Sequence, residues 1–334
     1  MNKAVKIAID AMGGDDSPKK IVDGIVHHNK NSNDTFYQIF GDKEKIINLI
    51  PKSLNKDFFE IIHTTEVVEG TDTPLEAAKR GKNTSMWLAI NSVKNKNADI
   101  VISAGNTGAL LVIAKLNLTM IENIDKPALS ALWPNKKWMS VVLDLGANIE
   151  CSEKNLIDFT IMGSAMFKTL YPNEIAKVAL LNIGSEATKG NEIIKNTYQK
   201  LKEKKNLNYE FKGYIEGNQL MNGDVNVIVA DGFTGNVALK TAEGTASFIT
   251  SELKKAMTDT LIGKISSLLN INNLRKFRKK LDPRLYNGAI FVGLDSPVVK
   301  SHSGTDYIGF SNSLSVCQKI VKGNLVEKIK ENIN

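Results

Sequence analysis

The sequence predicts an α/β protein, a three-layer α/β/α sandwich in which a mostly parallel sheet lies between two layers of helices. Short apolar, β-branched runs alternate with helical patterns along most of the chain, which favours a sheet covered on both faces. Polar, glycine-containing turns follow several of these runs, where open α/β sheets bind their ligands. We expect a single domain over residues 1–334, with an amphipathic basic helical hairpin inserted at residues 250–284.

Composition limits the class of protein. With 334 residues and 42% hydrophobic content, the chain can bury a large core. The two cysteines and four histidines show no metal-ligand spacing, so we expect a reducing compartment and neither a metal nor a cofactor. The longest apolar run, residues 109–114, is too short to cross a bilayer, which predicts a cytosolic protein with at most peripheral membrane contact. The net charge of +7 suits acidic partners but does not identify them, and no nucleic-acid partner is expected.

We predict the strands and helices from the spacing of apolar residues and from helix-capping residues. Strands are expected at 4–10, 36–40, 58–63, from 99, at 128–133, 139–143, 177–183, 209–215, 226–230 and 286–294. Helices are expected from 17, at 42–50, from 73, at 85–93, after 107, at 156–170, 191–204, from 234, at 253–281 and at the end to about 329. Ser17 before Pro18 predicts a helix start, and Thr73 with Glu76 predicts a capping box.

The stretch from Asn226 to Gly244 is the centre of the predicted site, because a buried strand runs there into a glycine-rich turn and a helix. The stretch from Asp99 to Leu110 repeats this order, and the two match when their Thr-Gly pairs are superposed. The free N–H groups of a first helical turn can bind an anion. Two such turns facing one cleft would hold a phosphate-like group, whereas either alone is equally explained by close packing of strand on helix.

Several motifs together resemble the phosphate acyltransferase family, the acyl-ACP:phosphate transacylases of bacterial phospholipid synthesis. The resemblance covers nearly the whole chain and rests on Asp10–Asp15, Ser103–Gly108, Asp144–Asn148, Leu181–Glu186 with Lys189-Gly190, and Asp231–Asn236 with Leu239-Lys240. Two loops depart from the family pattern: Asp16 stands where the family usually has His, and His302-Ser-Gly-Thr305 replaces His-Gly-Ser-Ser.

The resemblance implies a dimeric fold similar to phosphotransacetylases and to the isocitrate dehydrogenase group. It implies that acyl-ACP and inorganic phosphate give acyl phosphate and free ACP, and that a membrane-bound glycerol-3-phosphate acyltransferase uses the product. Acyl chain length stays open. The competing interpretations are a short-chain phosphotransacetylase acting on acyl-CoA, an NAD-dependent dehydrogenase of related fold, and a non-catalytic membrane adaptor. The dehydrogenase would need a metal and an arginine-rich pocket, and neither is visible in the sequence.

The chemistry of the residues agrees with this reaction. Phosphate is already a nucleophile, so no Ser-His-Asp triad is needed, and the Gly-x-Ser-x-Gly motif is absent. Attack on a thioester creates an oxyanion that N–H groups, an amide and a cation can stabilise. Through the resemblance, Lys189 is the candidate cation and Asn236 the candidate amide; the alternatives are a surface lysine and a helix cap. His302 is either a proton donor to the leaving thiolate or a histidine that satisfies loop carbonyls.

The remaining candidates are expected to line the substrate site. Asp10, Asp144 and Asp231 would repel phosphate, so turn-closing or orienting roles suit them better than direct contact. The expected substrate-binding residues are Asp10, Gly13, Gly14, Asp15, Ser103, Gly105, Asn106, Thr107, Gly108, Asp144, Asn148, Glu186, Asp231, Gly232, Thr234, Gly235 and His302.

The segment from Leu253 to Leu281 combines an apolar helical stripe with a basic run. Two interpretations stay open: a hairpin that packs on the core or on a second subunit, and a docking surface for the acidic ACP or an anionic membrane. The residues expected to dock are Leu261, Ile265, Arg275, Lys276, Arg278, Lys279 and Lys280.

Overall fold

The computed structural model describes residues 4–204 and 208–333, and these form a sheet with helices on both faces. The predicted fold class is confirmed. Eleven strands form the sheet in the described residues: β1 Val5–Asp10, β2 Thr35–Gly41, β3 Phe59–His63, β4 Ile100–Ser103, β5 Ala128–Pro134, β6 Met139–Leu143, β7 Ala176–Asn182, β8 Tyr209–Glu216, β9 Val227–Val229, β10 Ala289–Val292 and β11 Val298–Lys300.

Two apolar clusters hold the helices to the sheet. The described helices are α1 Lys19–Asn29, α2 Lys43–Ile47, α3 Pro74–Lys79, α4 Ser85–Lys94, α5 Thr107–Asn117, α6 Glu153–Leu170, α7 Glu192–Glu203, α8 Gly232–Thr258, α9 Leu261–Leu269, α10 Ile271–Lys280, α11 Tyr307–Lys322 and α12 Leu325–Ile333. One cluster packs α1, α6 and α11 against one face of the sheet, and the other packs α4 and α5 against the opposite face.

The direction of the strands changes across the sheet. Its order is β3-β2-β1-β4-β11-β10-β5-β6-β9-β7-β8, and most pairings are parallel, as expected. Three antiparallel pairings, β11 with β10, β10 with β5 and β5 with β6, lie between β4 and β9. These two strands therefore run in opposite directions, and their carboxyl ends lie at opposite edges of the sheet. The two Thr-Gly turns after β4 and β9 therefore do not lie at one edge of the sheet within a protomer, as a shared cleft would need.

Several local predictions also need correction. Strand β11, which has three residues and follows β10 closely, was missed. Helix α1 begins at Lys19, and the predicted cap Ser17 instead donates its hydroxyl to the Gly13 carbonyl at 2.7 Å. The closing helix is divided into α11 and α12 at Gly323 and Asn324. The capping box of Thr73 and Glu76 is confirmed.

The segment predicted as a helical hairpin is instead the end of one long helix followed by two short ones. We call residues 250–284 the arm. Helices α9 and α10 have no buried residue, and α8 buries only Gly232 and Gly235. After the arm the chain enters β10, where Ala289 pairs with Lys300. The arm therefore rejoins the sheet at the edge where β4 and β11 end.

A charged network holds the base of the arm. Arg284 bonds Asp282 through Nη2 at 2.6 Å and Asp306 through Nη1 at 2.8 Å. Asp306 also caps α11, accepting the N–H groups of Ile308 and Gly309 at 3.0 Å. The arm is thus tied to the loop that follows β11. Across the described ranges, no helix is both long enough and apolar enough to cross a membrane.

Candidate active site

The predicted site residues fall into two clusters at opposite edges of the sheet. The first cluster follows β1, β4 and β11 and comprises Asp10, Gly13, Gly14, Asp15, Ser103, Gly105, Asn106, Thr107, Gly108 and His302. The second follows β6, β7 and β9 and comprises Asp144, Asn148, Glu186, Lys189, Asp231, Gly232, Thr234, Gly235 and Asn236. No hydrogen bond or salt bridge joins these two sets of residues within 4–204 and 208–333.

Asp10 lies at the centre of the first cluster. Its buried carboxylate accepts the hydroxyls of Ser85 and Ser103, both at 2.6 Å, and the Met12 N–H at 3.3 Å. Burial raises the pKa of Asp10, and these hydrogen bonds oppose that shift. Since these donors occupy both oxygens, the carboxylate ties the end of β1 to the start of α4 and to the end of β4.

The glycines of the first cluster allow two loops to touch. A Cβ on Gly13 would lie 2.7 Å from the Gly105 nitrogen, and one on Gly105 would lie 2.9 Å from the Met86 methyl carbon. Close packing therefore requires Gly13, which faces backbone atoms, whether or not a ligand approaches, whereas the flexible Met86 side chain could move away from a Cβ at Gly105. Asn106 caps α5 by accepting the Ala109 N–H at 3.0 Å, and Thr107 is exposed at the first helical position. The first N–H groups of a helix have no partner within it.

Two buried lysines of the first cluster escaped sequence analysis. Lys20 is 5% exposed and donates to the Ser303 carbonyl. Lys300 is 8% exposed and donates to the carbonyls of Ser301 and, at 3.5 Å, Ala104. Burial lowers the pKa of both lysines. The pKa of Lys300 falls to about 8, and the nearby positive charge of Lys20 contributes to this decrease. Lys300 could have been found from the sequence, because it directly follows the apolar residues of a short buried strand.

His302 lies on the loop after β11. Its Nδ1 faces the Gly304 N–H at 3.2 Å, so this nitrogen accepts and Nε2 carries the proton of the neutral ring. The expectation that the ring satisfies loop carbonyls was therefore wrong. Loss of hydration is the main cause that lowers the pKa of His302, and the positive charge of Lys300 lowers it further. On α8, Glu243 raises this pKa and Lys240 lowers it. Helix α8 thus brings charged side chains towards the first cluster.

Asp144 organises the turn of the second cluster. It is buried and accepts four backbone N–H groups, those of Leu129, Gly146, Ala147 and Asn148, at 2.8–3.2 Å. The Asn148 side chain adds a fifth bond at 2.8 Å. Burial raises the pKa of Asp144 against these bonds. The carboxylate closes the turn that supports α8.

Helix α8 begins two residues earlier than predicted. Asp231 is the cap and accepts both the N–H and the hydroxyl of Thr234 at 2.8 Å, while the Gly232 N–H donates to the Asn148 carbonyl at 2.8 Å. Thr234 is therefore the third helical residue, whereas Thr107 is the first of α5. The N–H groups of Gly232 and Thr234 are therefore already hydrogen-bonded, and the expectation that the first turn leaves them free for an anion was wrong.

The catalytic candidates follow two neighbouring strands, β7 and β9. Lys189 is exposed on the loop after β7, and its carbonyl accepts the Asn182 amide at 3.2 Å. Asn236 is exposed on α8, and its amide donates to the Leu145 carbonyl at 3.3 Å. Since Asp231 caps the helix, the alternative of Asn236 as a cap was wrong. Exposed apolar side chains surround this cluster: Ile149, Ile183, Phe233 and Val237.

The glycines of α8 allow a direct stability test. A Cβ on Gly235 would clash with the Asp144 carbonyl oxygen, whereas one on Gly244 meets nothing within 4 Å. We expect Gly235→Ala to lower the free energy of unfolding by about 1–3 kcal/mol. The matched control Gly244→Ala should raise it by up to ~1 kcal/mol, because it only removes a glycine from a helix. Urea titration measures both, and equal effects would contradict this packing.

Known proteins match this chain over nearly its whole length. A family model described as "Fatty acid synthesis protein" matches residues 5–328. The chain is 78% identical over 333 residues to the phosphate acyltransferase of Pelagibacter ubique (strain HTCC1062), with 100% of each chain covered. It is 43% identical to the phosphate acyltransferase of Rhodospirillum rubrum, covering 100% of this chain and 95% of that protein.

Two solved structures have the same fold at low identity. A phosphotransacetylase from Streptococcus pyogenes superposes with a TM-score of 0.62 at 15% identity, covering 98% of this chain and 95% of that one. The EutD phosphotransacetylase from Staphylococcus aureus gives 0.58 at 16%, covering 96% and 94%. No group of three or more His, Cys, Asp or Glu side chains placed to hold a metal occurs among the residues described.

Proposed function

Since this chain belongs to the fatty acid synthesis protein family, whose curated relatives are phosphate acyltransferases, we propose that it transfers an acyl group from acyl-ACP to inorganic phosphate. The protein is an acyltransferase, and the observation that carries the assignment is 78% identity over the full chain. The acyl phosphate would then serve a membrane-bound glycerol-3-phosphate acyltransferase in phospholipid synthesis.

The reaction balances without a further reactant. A phosphate oxygen attacks the thioester carbonyl, a C–O bond forms, and the C–S bond breaks. The electron pair of that bond leaves on sulfur, and the proton of hydrogen phosphate, or one delivered by His302, converts the thiolate to the free ACP thiol. The chain must therefore position two reactants and stabilise the oxyanion, which positioned donors can do without a nucleophilic side chain.

Phosphate-dependent release of the ACP thiol from acyl-ACP tests this reaction directly. We expect free thiol and acyl phosphate to appear in equal amounts, and neither to appear without phosphate. Preference for acetyl-CoA over long-chain acyl-ACP would favour a short-chain phosphotransacetylase. Absence of acyl phosphate with every thioester would contradict the assignment.

Lys189 and Asn236 remain the proposed oxyanion donors, because they follow neighbouring strands and present an exposed cation and amide. The other predicted residues of both clusters remain proposed substrate-binding residues. Within one protomer the two clusters lie at opposite edges of the sheet. We therefore propose a homodimer in which the second cluster of one protomer faces the first cluster of its partner.

The exposed apolar residues Ile149, Ile183, Phe233 and Val237 support an interface beside the second cluster. Large exposed apolar side chains that lie near one another mark interaction sites on soluble proteins. Sedimentation of the full chain should show a dimer. A double change of Ile183 and Phe233 to serine should shift it towards monomer.

The arm is the proposed docking element for ACP or an anionic membrane. Leu261 is 78% exposed and Ile265 is 54% exposed, so neither faces the core. The basic side chains of α10 are also exposed: Arg275, Lys276, Arg278, Lys279 and Lys280. An exposed apolar stripe next to a basic stripe suits the surface of an anionic bilayer.

Changing the five basic residues of α10 to glutamine should weaken docking without unfolding the protein. Each basic residue contributes on the order of 1 kcal/mol to attraction by anionic lipid, and salt screens this attraction. We expect weaker binding to anionic vesicles, a higher KM for acyl-ACP, or both, with lower salt sensitivity of the affected interaction. Wild-type vesicle binding and wild-type ACP kinetics at low salt would contradict the proposal.

The apolar stripe is tested separately by Leu261→Glu with Ile265→Glu. Because both side chains are exposed, the variant should stay folded and lose only the binding that the apolar stripe supports. Loss of the folded state would instead indicate that another surface covers the stripe in solution.

A further inference from the structure

We propose that the ammonium groups of Lys20 and Lys300 bind the attacking phosphate. This inference rests on the proposed function and assigns its phosphate subsite to the first cluster. The subsite combines the ends of three strands: Gly14 after β1, Ala104 after β4, and Lys300 with the His302–Thr305 loop at β11.

The charge arrangement favours an anion. Neither lysine forms a salt bridge in the described part of the chain, and their protein partners are backbone carbonyls. The two positive charges act on each other. The opposing charges are the carboxylates of Asp10 and Asp15 near Lys300 and those of Asp15 and Asp16 near Lys20, and Asp15 and Asp16 are exposed to solvent. Asp10 is already engaged by two serine hydroxyls. A buried cation without an ionic partner is unfavourable, so a dianion here would satisfy both lysines.

The surrounding backbone holds the two lysines in place. Gly14 has φ +87°, and a Cβ there would lie 2.7 Å from the Ala104 carbonyl and 3.0 Å from Lys20 Nζ. Glycine therefore lets Lys20 lie directly over the turn. On the other side, the Asp15 N–H donates to the Ser303 carbonyl at 3.2 Å, the same carbonyl that receives Lys20. The exposed first turn of α5, at Thr107, lies at the same strand ends.

Methionine substitutions test the subsite, because methionine keeps the apolar stem and removes the charge. In Lys20→Met and Lys300→Met, the KM for phosphate should rise about 10- to 100-fold, the range for losing a charged hydrogen bond, while the KM for acyl-ACP changes little. The matched control is Lys19→Met, since Lys19 is the neighbouring residue but is 68% exposed and paired with Asp23. Lys19→Met should leave the phosphate KM unchanged.

A binding measurement separates lost affinity from a damaged fold. Inorganic phosphate should raise the melting temperature of the wild type and of Lys19→Met, and raise it less or not at all in the other two variants. Unchanged phosphate KM and unchanged phosphate stabilisation in Lys300→Met would overturn the subsite. Failure of the wild type to release ACP with phosphate would instead overturn the proposed function, so the two failures are distinct.

The subsite also predicts a pH dependence. The groups that face Lys300 are Lys20, Asp10, Asp15 and His302. Lys300 is charged below its pKa of about 8 and neutral above it, so its contribution to phosphate binding should be lost as pH rises through this value. The phosphate KM of the wild type should therefore increase above about pH 8, and Lys300→Met should lack that increase. The same pH profile in both proteins would contradict the assignment.

Discussion

Lys189→Ala and Asn236→Ala should each lower turnover about 10²- to 10³-fold, a loss of roughly 2.7–4 kcal/mol of transition-state stabilisation. Both side chains are exposed, and Asn236 makes one protein hydrogen bond of 3.3 Å in the described residues. Neither change opens the core, so the fold should survive. Steady-state kinetics of ACP release measures the effect, and a melting curve verifies the fold.

Controls distinguish an oxyanion role from a general charge effect. Lys195→Ala removes another lysine, on α7, and should leave turnover unchanged. Lys189→Arg should recover part of the activity, because the positive charge remains. Unchanged turnover in a folded Lys189→Ala protein would end the assignment.

A mixing experiment tests whether the two clusters meet across a dimer. If one active site uses the second cluster of one protomer and the first cluster of its partner, Lys189→Ala and Lys300→Met homodimers each have impaired sites. Subunit exchange then produces heterodimers in which one site carries both changes and the other carries none. About a quarter of wild-type sites should be recovered. No recovery after verified exchange would place the complete site within one protomer.

Asp144→Ala should have the largest effect on stability, roughly 3–5 kcal/mol. The change leaves four backbone N–H groups and the Asn148 amide without their shared acceptor. It also removes the carboxylate that closes the turn on which α8 packs at Gly235. Urea unfolding measures the loss, and severe destabilisation would appear as poor recovery of folded protein.

The control for this prediction is Asp231→Ala. That residue caps α8 through the Thr234 N–H and is only partly buried, so its loss should cost about 1 kcal/mol. Equal unfolding midpoints for Asp144→Ala and the wild type would show that the buried bonds contribute little to folding.

The sequence was sufficient for the fold class because each layer is encoded locally. Apolar runs gave the strands, and the Thr73 capping box gave a helix start that the structure confirms. The reversal of direction between β4 and β9 is different, because it arises where β10 returns from the far end of the chain to pair between β11 and β5. No local pattern specifies such a pairing.

The candidate site shows the same limit. The sequence identified its glycines, but it did not show what they pack against. Gly235 packs on Asp144 and Gly13 packs on Gly105, and both partners are distant in sequence. Lys20 and Lys300 were missed because each is one lysine among many, and what distinguishes them is burial beside Ser303 and Ala104. The start of α8 was misplaced because the Asp231 side chain caps the helix before Thr234 can begin it.

Helix α8 has a mechanical consequence. Its 27 residues rise about 1.5 Å each, so it forms a stiff rod of roughly 40 Å from the turn after β9 to Thr258 within the arm. The chain then returns through α9 and α10 to the base of the arm, where Arg284 bonds Asp282 and Asp306. The protruding segment is therefore attached at two places, the start of α8 and Arg284, so it acts as a spacer. Whatever surface α9 and α10 rest on is held at a set height and orientation relative to the sheet edges, and helix length determines that height.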